Sequence, residues 1–408
     1  MSHPWFTDKW FVSPFNYVDE VRKQLKLPER VIIHDTTLRD GEQQPGLVFR
    51  KDDKLKIAIA LDEAGVDRIE AGMPAVSLED FEAIKEIARQ GLRAKVMAFA
   101  RCLKRDVDMA LKCDVSGVVM ELPSSRHIIQ YAYRWTEEKA ISRAVEAIEY
   151  AKQHGLYVTF FTVDATRAEL EFFREVVEAV HKYMDSLTIA DTFGVCTPYA
   201  ISYFIRKLKE FVKTPIEIHA HNDFGLAVAN TIAAIASGAT AAHVTVNGIG
   251  ERCGNASLEE TVLALKLLLG VNTNVKLEKL YELSKLVEKI SGVKMPPQKP
   301  VTGDNAFRIE SGIIADWWVA VRDVRPVEVI PYVPTLIGRK DVELLLGKKS
   351  GKSTVIDRLK KLGIEASAEE VMQILTKVKE KSIMKKGPLT DEEFIEIVKS
   401  VVKTKSER

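Results

Sequence analysis

The chain has 408 residues, of which 59 are Lys or Arg and 58 are Asp or Glu, and this balanced charge argues against a nucleic-acid or polyanion binder. Its length exceeds that of one ordinary domain, and no stretch approaches the roughly 18 consecutive apolar residues of a membrane-spanning helix. The N-terminus lacks the apolar core of a signal peptide and the four cysteines show no metal-ligand or redox spacing, so we expect a cytoplasmic protein without a membrane or nucleic-acid partner.

The first 29 residues form an irregular segment rich in aromatic side chains, including Trp5, Phe6, Trp10 and Phe11. Such side chains need an apolar surface to cover. We therefore expect residues 1–29 to form an N-terminal arm that lies on the main domain or on a partner chain.

A regular alternation of strands and helices begins at residue 31. Eight short β-type runs are expected at Val31–Asp35, Arg68–Ala71, Lys95–Ala98, Gly117–Met120, Tyr157–Thr162, Ser186–Ala190, Ile216–Ala220 and His243–Val246. Helical periodicity separates them, and several of these helices end at a glycine. Eight such units over about 250 residues predict an α/β fold of the (β/α)₈ TIM-barrel type across residues 30–286. An open doubly wound sheet is the alternative, but evenly repeated units favour closure.

The sequence changes character after the barrel. A Pro-rich connector spans residues 293–306, residues 307–346 look irregular, and helices are expected at Val355–Leu362, Ala368–Lys379 and Asp391–Val402. We therefore interpret residues 287–408 as a linker with one or two small, mostly helical C-terminal subdomains.

Polar residues follow nearly every predicted strand, at the end of a parallel barrel where active sites lie. His219 and His221 stand two apart on one strand and so share a face. With Asp40, after the first strand, they form a two-His, one-carboxylate set for a divalent ion such as Zn²⁺, Mn²⁺ or Mg²⁺. Asn247 is a possible fourth ligand or a partner of the ligands.

The same rim offers groups for a substrate beside that ion. A divalent ion can bind the carboxylate and keto oxygens of a 2-oxo acid and polarise its carbonyl. Arg39 would neutralise charge that develops on this oxygen, and Thr192 could donate a hydrogen bond to the substrate carboxylate. Glu70 and Asp35 are interpreted as side chains that orient the others.

Three long motifs resemble signatures of one enzyme superfamily. They are the segments 35–43 (DTTLRDGEQ), 219–227 (HAHNDFGLA) and 247–255 (NGIGERCGN), and the segments 69–74 (IEAGMP) and 191–198 (DTFGVCTP) also match. Over roughly residues 30–350 the chain is similar to the DRE-TIM metallolyase superfamily, and within it to the Claisen-condensing branch of 2-isopropylmalate, homocitrate and citramalate synthases.

The resemblance implies condensation of acetyl-CoA with a 2-oxo acid at a metal ion held by Asp40, His219 and His221. It also implies a homodimer in which the C-terminal subdomain of one chain reaches the barrel of the other. In a chain of 408 residues, we do not expect leucine feedback through the regulatory domain that long isopropylmalate synthases carry.

The substrate and catalytic residues on this interpretation come from the same motifs, except His127, which follows the fourth predicted strand. Arg39, Glu70 and Thr192 are the expected catalytic residues. Gln43 and His127 join Arg39 and Thr192 in binding the substrate.

The chain departs from the family pattern at positions that concern proton transfer. Ile309 and Ile314 stand where the condensing enzymes carry histidines, and the first of those histidines helps to remove a proton from the acetyl methyl group. Departures also occur at Ile129, which replaces a common acid, at Lys349, which replaces a histidine, and at Tyr332, which is out of register with a family tyrosine. One interpretation is a condensation that uses another base, such as Glu310, His127 or Lys349, or a different acyl donor. The alternatives are a metal-dependent C–C lyase or aldolase, a barrel that has lost activity, or a paralogue that binds a 2-oxo acid.

Overall fold

The computed structural model describes residues 3–402 and divides into two compact units. Residues 13–295 form the first, here called the barrel unit. Residues 3–12 and 296–402 form the second, the C-terminal unit.

Eight parallel strands close the barrel unit in chain order, each paired with its neighbours and the last with the first. The strands are β1 (Ile32–Asp35), β2 (Arg68–Glu70), β3 (Lys95–Arg101), β4 (Gly117–Pro123), β5 (Tyr157–Val163), β6 (Ser186–Asp191), β7 (Ile216–Ala220) and β8 (Ala241–Val244). The closing register pairs His34 on β1 with His243 on β8. The predicted (β/α)₈ barrel is confirmed.

Helices cover the outside of the barrel and return the chain to the next strand. They are α1 (Asp19–Arg22), α2 (Lys51–Ala64), α3 (Leu78–Ala88), α4 (Lys104–Lys112), α5 (Glu137–Gln153), α6 (Leu170–Val180), α7 (Pro198–Leu208), α8 (Ala227–Ala236), α9 (Leu258–Leu267) and α10 (Leu280–Ser291). The C-terminal residue of α2 is followed by Gly65 at φ 91°, where a Cβ atom would lie 2.4 Å from the carbonyl oxygen of Asn274. A glycine is therefore required at this helix end.

The predicted N-terminal arm is shared between the two units. In the barrel unit, the Tyr17 hydroxyl donates to the Leu267 carbonyl at 2.8 Å and Arg22 donates to the Leu269 carbonyl at 2.7 Å. In the C-terminal unit, Trp10 forms a β-bridge with Tyr332. The boundary between the units falls after Met295 because α10 belongs to the barrel unit, whereas the sequence placed it after residue 286.

The C-terminal unit is mostly helical, as expected, but its first part is not irregular. A parallel pair of short strands, β9 (Arg308–Ile309) and β10 (Glu343–Leu344), flanks α11 (Gly312–Val321) in the stretch that looked unstructured. Three helices follow: α12 (Lys352–Lys361), α13 (Ala368–Lys385) and α14 (Asp391–Val401). Across residues 3–402, no helix combines the length and the apolar character needed to cross a bilayer.

Candidate metal centre and active-site cavity

Two imidazoles and one carboxylate meet at the C-terminal end of the barrel. His219 lies on β7, His221 follows that strand, and Asp40 ends the turn after β1. The Asp40 Oδ2 atom is 2.8 Å from His219 Nε2 and 3.5 Å from His221 Nε2, and the two Nε2 atoms are 3.2 Å apart. The fold therefore brings the three expected ligand residues together, and they are called the triad below.

The turn after β1 is built by its own polar side chains. The buried Asp35 carboxylate accepts hydrogen bonds from the backbone N–H of Thr37 at 2.9 Å and from its hydroxyl at 3.0 Å. The Asp40 N–H in turn donates to the Thr36 carbonyl at 2.9 Å. Asp35 therefore shapes the loop that presents Asp40 and does not itself touch the triad.

The protonation states of the triad suit a cation. Burial lowers the pKa of His219, and it lowers the pKa of His221 to about 4, so both imidazoles are neutral near pH 7. Burial opposes the charge on Asp40, but Arg39 and the two imidazoles outweigh it and hold the pKa of this carboxyl below its usual range. Neutral imidazole and ionised carboxylate are the forms that bind metals.

Several buried polar atoms at the triad have no partner within residues 3–402. They are Asp40 Oδ1, His219 Nδ1, His221 Nδ1 and Arg39 Nη2. Unsatisfied buried carboxylate oxygens are costly, and a divalent ion among Asp40, His219 and His221 would satisfy this donor set. The residues present therefore fit such an ion.

Arg39 is held beside the triad by three contacts. Its Nε–H donates to Glu70 Oε1, its Nη1 lies 3.2 Å from Asp40 Oδ2, and its guanidinium carbon lies 4.2 Å from the centre of the Phe99 ring. These contacts fix the plane of the guanidinium and leave Nη2 as an unpaired donor.

Below the triad, the barrel interior contains a second polar cluster. His34 Nε2 is 3.0 Å from Glu70 Oε2, and the His34 ring stacks on His243 at 4.1 Å between ring centres. His243 Nε2 lies 2.9 Å from Glu217 Oε2, and Glu217 also pairs with Arg68 at 2.6 Å. The charged side chains inside the barrel are thus paired with one another, and this series of contacts ends at Arg39, which pairs with Glu70.

His34, Glu70 and His243 also place three ligand-type atoms close together. The Nε2 atoms of His34 and His243 already lie beside carboxylates, and Glu70 forms an ion pair with the Arg39 guanidinium. The triad forms part of the wall of the active-site cavity described below, whereas none of His34, Glu70 and His243 lines that cavity. We therefore assign this inner cluster to structure and to the orientation of Arg39.

The triad forms part of the wall of a cavity of about 420 Å³. Other wall residues are Arg39, Gln43, Met73, Phe99, Arg101, Glu121, Phe161, Val163, Thr192, Glu251 and Arg252. The predicted substrate residues Arg39, Gln43 and Thr192 thus face one space with the triad. The Thr192 hydroxyl oxygen already accepts a hydrogen bond from the Asp164 N–H at 2.8 Å, which leaves its proton for a ligand.

Three predicted site residues do not line the cavity: Glu70, which belongs to the inner cluster, Asn247 and His127. The side chain of Asn247 donates to the Ser284 carbonyl at 2.9 Å and accepts from the Ser284 hydroxyl. Its backbone is left-handed, with φ 64°, which turns the amide away from the triad. His127 lies 3.0 Å from the buried Asp164 carboxylate, and it is half exposed and outside the cavity wall.

Arg101 and Glu121 also form part of the cavity wall, and neither is among the predicted site residues. Glu121 lies near the end of β4 in the cavity wall and accepts a hydrogen bond from the Tyr133 hydroxyl at 3.2 Å. The π-helical turn Ile128–Tyr133 carries Tyr133 to the site, and the sequence did not predict this turn. Glu121 could have been recognised from its strand-end position, but Tyr133 offered no such signal.

Of the positions that depart from the family pattern, Ile129 lies in the barrel unit, and the others lie in the C-terminal unit. Ile309 is 8 % exposed and packs with Trp318, Leu344 and other apolar side chains, whereas Ile314 is 37 % exposed. Glu310 pairs with Lys349 Nζ at 3.1 Å and also accepts from the Lys349 N–H at 3.2 Å. Ile309 is therefore part of a hydrophobic core.

Comparison with known proteins shows two matching families. Residues 30–287 match the family model described as HMGL-like, and residues 301–386 match the one described as homocitrate synthase post-HMGL domain-like. Homocitrate synthase AksA of Methanothermobacter thermautotrophicus is 43 % identical over 394 residues, which cover 96 % of this chain and 98 % of that protein. A probable 2-isopropylmalate synthase of Ignicoccus hospitalis is 47 % identical over 378 residues, covering 92 % and 93 % of the two chains.

Other similarities agree with these. (R)-citramalate synthase CimA of Methanocaldococcus jannaschii is 43 % identical over 372 residues, covering 91 % of this chain and 74 % of that protein. Among solved structures, the HMG-CoA lyase of Bacillus subtilis superposes with a TM-score of 0.61 at 22 % identity, over 67 % of this chain and 97 % of the lyase. At that identity the lyase supports the barrel fold alone.

Proposed function

Because the chain belongs to the HMGL-like family and also carries the post-HMGL domain of homocitrate synthases, we propose that it is a divalent-metal-dependent acyltransferase that condenses acetyl-CoA with a 2-oxo acid. The observation that carries this proposal is the near full-length similarity to three kinds of synthase, at 43 % to 47 % identity. The proposal places the chain in amino-acid biosynthesis, as a cytoplasmic enzyme.

Asp40, His219 and His221 would hold the ion, which when bound supplies a Lewis acid for the keto group of the 2-oxo acid. The Arg39 Nη2–H, which has no partner among the described residues, would donate to the keto oxygen as it gains charge. The contacts of Arg39 with Glu70 and Phe99 keep that donor in place before the substrate arrives.

The remaining cavity residues would bind and orient the 2-oxo acid. The Thr192 hydroxyl would donate to the substrate carboxylate, and the Gln43 amide lines the same space. His127, which is held by the Asp164 carboxylate, would contact the substrate from outside the cavity wall. Asn247 would support the loop after β8 through Ser284 rather than bind the ion.

We also propose that the protein works as a homodimer, with the C-terminal subdomain of one chain reaching the barrel of its partner. This follows from the resemblance to the condensing enzymes. Sedimentation velocity of the purified chain tests it, and a monomer at the concentration of the activity assay would exclude it.

A cleavage reaction is the weaker candidate. The solved HMG-CoA lyases share the barrel, but their low identity carries no argument about activity. The curated relatives with names given above are synthases, and they cover more of this chain. A C–C lyase or aldolase function is therefore not proposed.

The proposal is tested by thiol release from acetyl-CoA with purified full-length protein. The assay combines pyruvate, 2-oxoisovalerate, 2-oxoglutarate or oxaloacetate with Mg²⁺, Mn²⁺ or Zn²⁺. We expect free CoA with at least one 2-oxo acid, loss of release after chelation and loss in His219→Ala, while the exposed control His154→Ala keeps the wild-type rate. No thiol release with any combination would refute the condensation.

A further inference from the structure

Glu121 is a largely buried carboxyl that faces the active-site cavity and has no role in the assignments above. It lies near the end of β4, in register with Arg101 on β3, and forms part of the cavity wall with Arg39 and the triad. The same wall carries apolar side chains, Met73, Phe99 and Phe161, beside its charged ones. A carboxyl that is largely removed from water is costly unless it is paired or used.

Neither of the nearby arginines neutralises Glu121. Arg101 is bound through two atoms to Asp106, with Nε–Oδ2 at 2.8 Å and Nη2–Oδ1 at 3.0 Å. Arg39 is bound to Glu70 and Asp40. Within residues 3–402, Glu121 therefore forms no salt bridge, and its hydrogen bond comes from the Tyr133 hydroxyl.

Tyr133 is positioned for that contact by the π-helical turn that carries it. Its ring packs edge-to-face on Trp135 with 5.0 Å between ring centres, and its hydroxyl points back at Glu121. Single π turns are frequent at functional sites. A hydrogen bond from this neutral phenol orients the carboxyl without pairing its charge.

The electrostatic setting of Glu121 suits a base. Burial raises its pKa above the usual range, although Tyr133, Arg39 and Arg101 oppose that rise, and Asp106 adds to it. A raised pKa makes a carboxylate a stronger proton acceptor, and it is how carboxyl groups act as bases near neutral pH.

Glu70, Asp40 and Glu310 are less suited to accept a proton. Burial opposes the charge on Glu70, but Arg39 and His34 outweigh it and lower its pKa to about 2. Asp40 belongs to the triad. In the C-terminal unit, Glu310 is paired with Lys349, and Ile309 occupies the position of the family histidine in a hydrophobic core.

We propose that Glu121 is the catalytic base that removes the proton from the methyl carbon of the acetyl thioester, with Tyr133 as the residue that positions it. The C–H electron pair then forms the new bond to the keto carbon of the 2-oxo acid, and the proton moves to the Glu121 carboxylate. The keto oxygen receives the carbonyl electron pair beside Arg39 and becomes a hydroxyl by taking a proton from solvent water, and Glu121 returns its own proton to solvent. A water molecule then cleaves the thioester: its oxygen bonds to the acyl carbon, the C–S bond breaks, and the sulfur leaves protonated as free CoA. This inference rests on the proposed condensation.

The test compares Glu121→Gln with the wild-type enzyme and with Glu146→Gln, a matched change at an exposed carboxyl on α5 that pairs with Lys104. We expect Glu121→Gln to lower kcat for thiol release at least about 100-fold, because general bases contribute on the order of 10² to 10⁴. The KM for the 2-oxo acid and the bound metal should stay near wild type. The amide can still accept from Tyr133, so the folded state is checked by thermal melting.

Chemical rescue separates a base from a residue that only shapes the cavity. In Glu121→Ala, added formate should restore part of the thiol release, and it should leave the rate of Glu146→Gln unchanged. Deuterium uptake into the acetyl methyl group in D₂O, followed by mass spectrometry, should fall in the same variants.

Three outcomes would overturn the inference. A kcat within threefold of wild type in Glu121→Gln excludes Glu121 as the base. A change confined to the KM or to the preferred 2-oxo acid would make Glu121 a specificity residue, and failure of formate to rescue would point the same way. If the wild-type enzyme releases no CoA at all, the proposed function fails first, which distinguishes the two failures.

Discussion

The hydrophobic position of Ile309 leads to a quantitative prediction about stability. Ile309 is 8 % exposed and packs against Trp318, Ile330 and Leu344 in the C-terminal unit. Restoring the family histidine there removes the burial of an isoleucine, which stabilises by about 2 kcal/mol. It also buries an imidazole in an apolar cluster, which costs about 1–3 kcal/mol without a hydrogen-bond partner. We expect Ile309→His to lower the free energy of unfolding by about 3–5 kcal/mol.

Two related changes serve as controls. Ile314 is 37 % exposed, so Ile314→His should change the free energy of unfolding by no more than about 0.5 kcal/mol. Ile309→Val removes one methylene and should cost about 0.5–1.5 kcal/mol.

Urea titration followed by tryptophan fluorescence measures these effects. Of the five tryptophans, Trp5, Trp10, Trp317 and Trp318 belong to the C-terminal unit and only Trp135 to the barrel unit, so the signal reports mainly on the unit that is changed. Equal effects of Ile309→His and Ile314→His would refute the placement of Ile309 in the core. A rise in condensation rate in Ile309→His of more than about tenfold would contradict Glu121 as the base.

Two other predictions concern the metal and the inner cluster. His219→Ala or His221→Ala should lower bound Mn²⁺, measured by plasma mass spectrometry, at least about tenfold. Asn247→Ala should retain the bound Mn²⁺, because the Asn247 amide faces Ser284. Equal loss of Mn²⁺ in all three variants would make Asn247 a ligand. Glu70 has a folded-state pKa lowered to about 2 against 4.5 when unfolded, so it stabilises the fold above pH 4.5 and loses this effect as the pH falls toward 2. Glu70→Gln should therefore reduce the urea midpoint more at pH 7 than at pH 3, and equal reductions at both pH values would contradict this ion pairing.

The barrel fold and the proximity of the three triad residues could both be predicted from patterns in the sequence. Strand and helix periodicities alternate eight times, and parallel strands place their carboxyl ends on one rim. Asp40 and His219 are far apart in the chain, yet closure of the barrel brings them to 2.8 Å. Strand-end position was enough to find these residues, because the fold fixes which end of each strand faces the cavity.

The remaining details depend on local backbone geometry that periodicity does not encode. The left-handed backbone of Asn247 turns its amide toward Ser284, and a π-helical turn brings Tyr133 to Glu121. The stretch that contains Ile309 looked irregular because its strand is two residues long and its partner strand lies 34 residues away. Pairing at such a separation has no local sequence signal.

The proposed function requires Asp40, His219 and His221 to hold the catalytic ion in the wall of the cavity. Anomalous diffraction from crystals grown with Mn²⁺ and a 2-oxo acid tests it most directly. The account predicts one strong peak bounded by Asp40 Oδ2, His219 Nε2 and His221 Nε2, with the 2-oxo acid beside Arg39. A peak among His34, Glu70 and His243, or no peak at the triad, would contradict it.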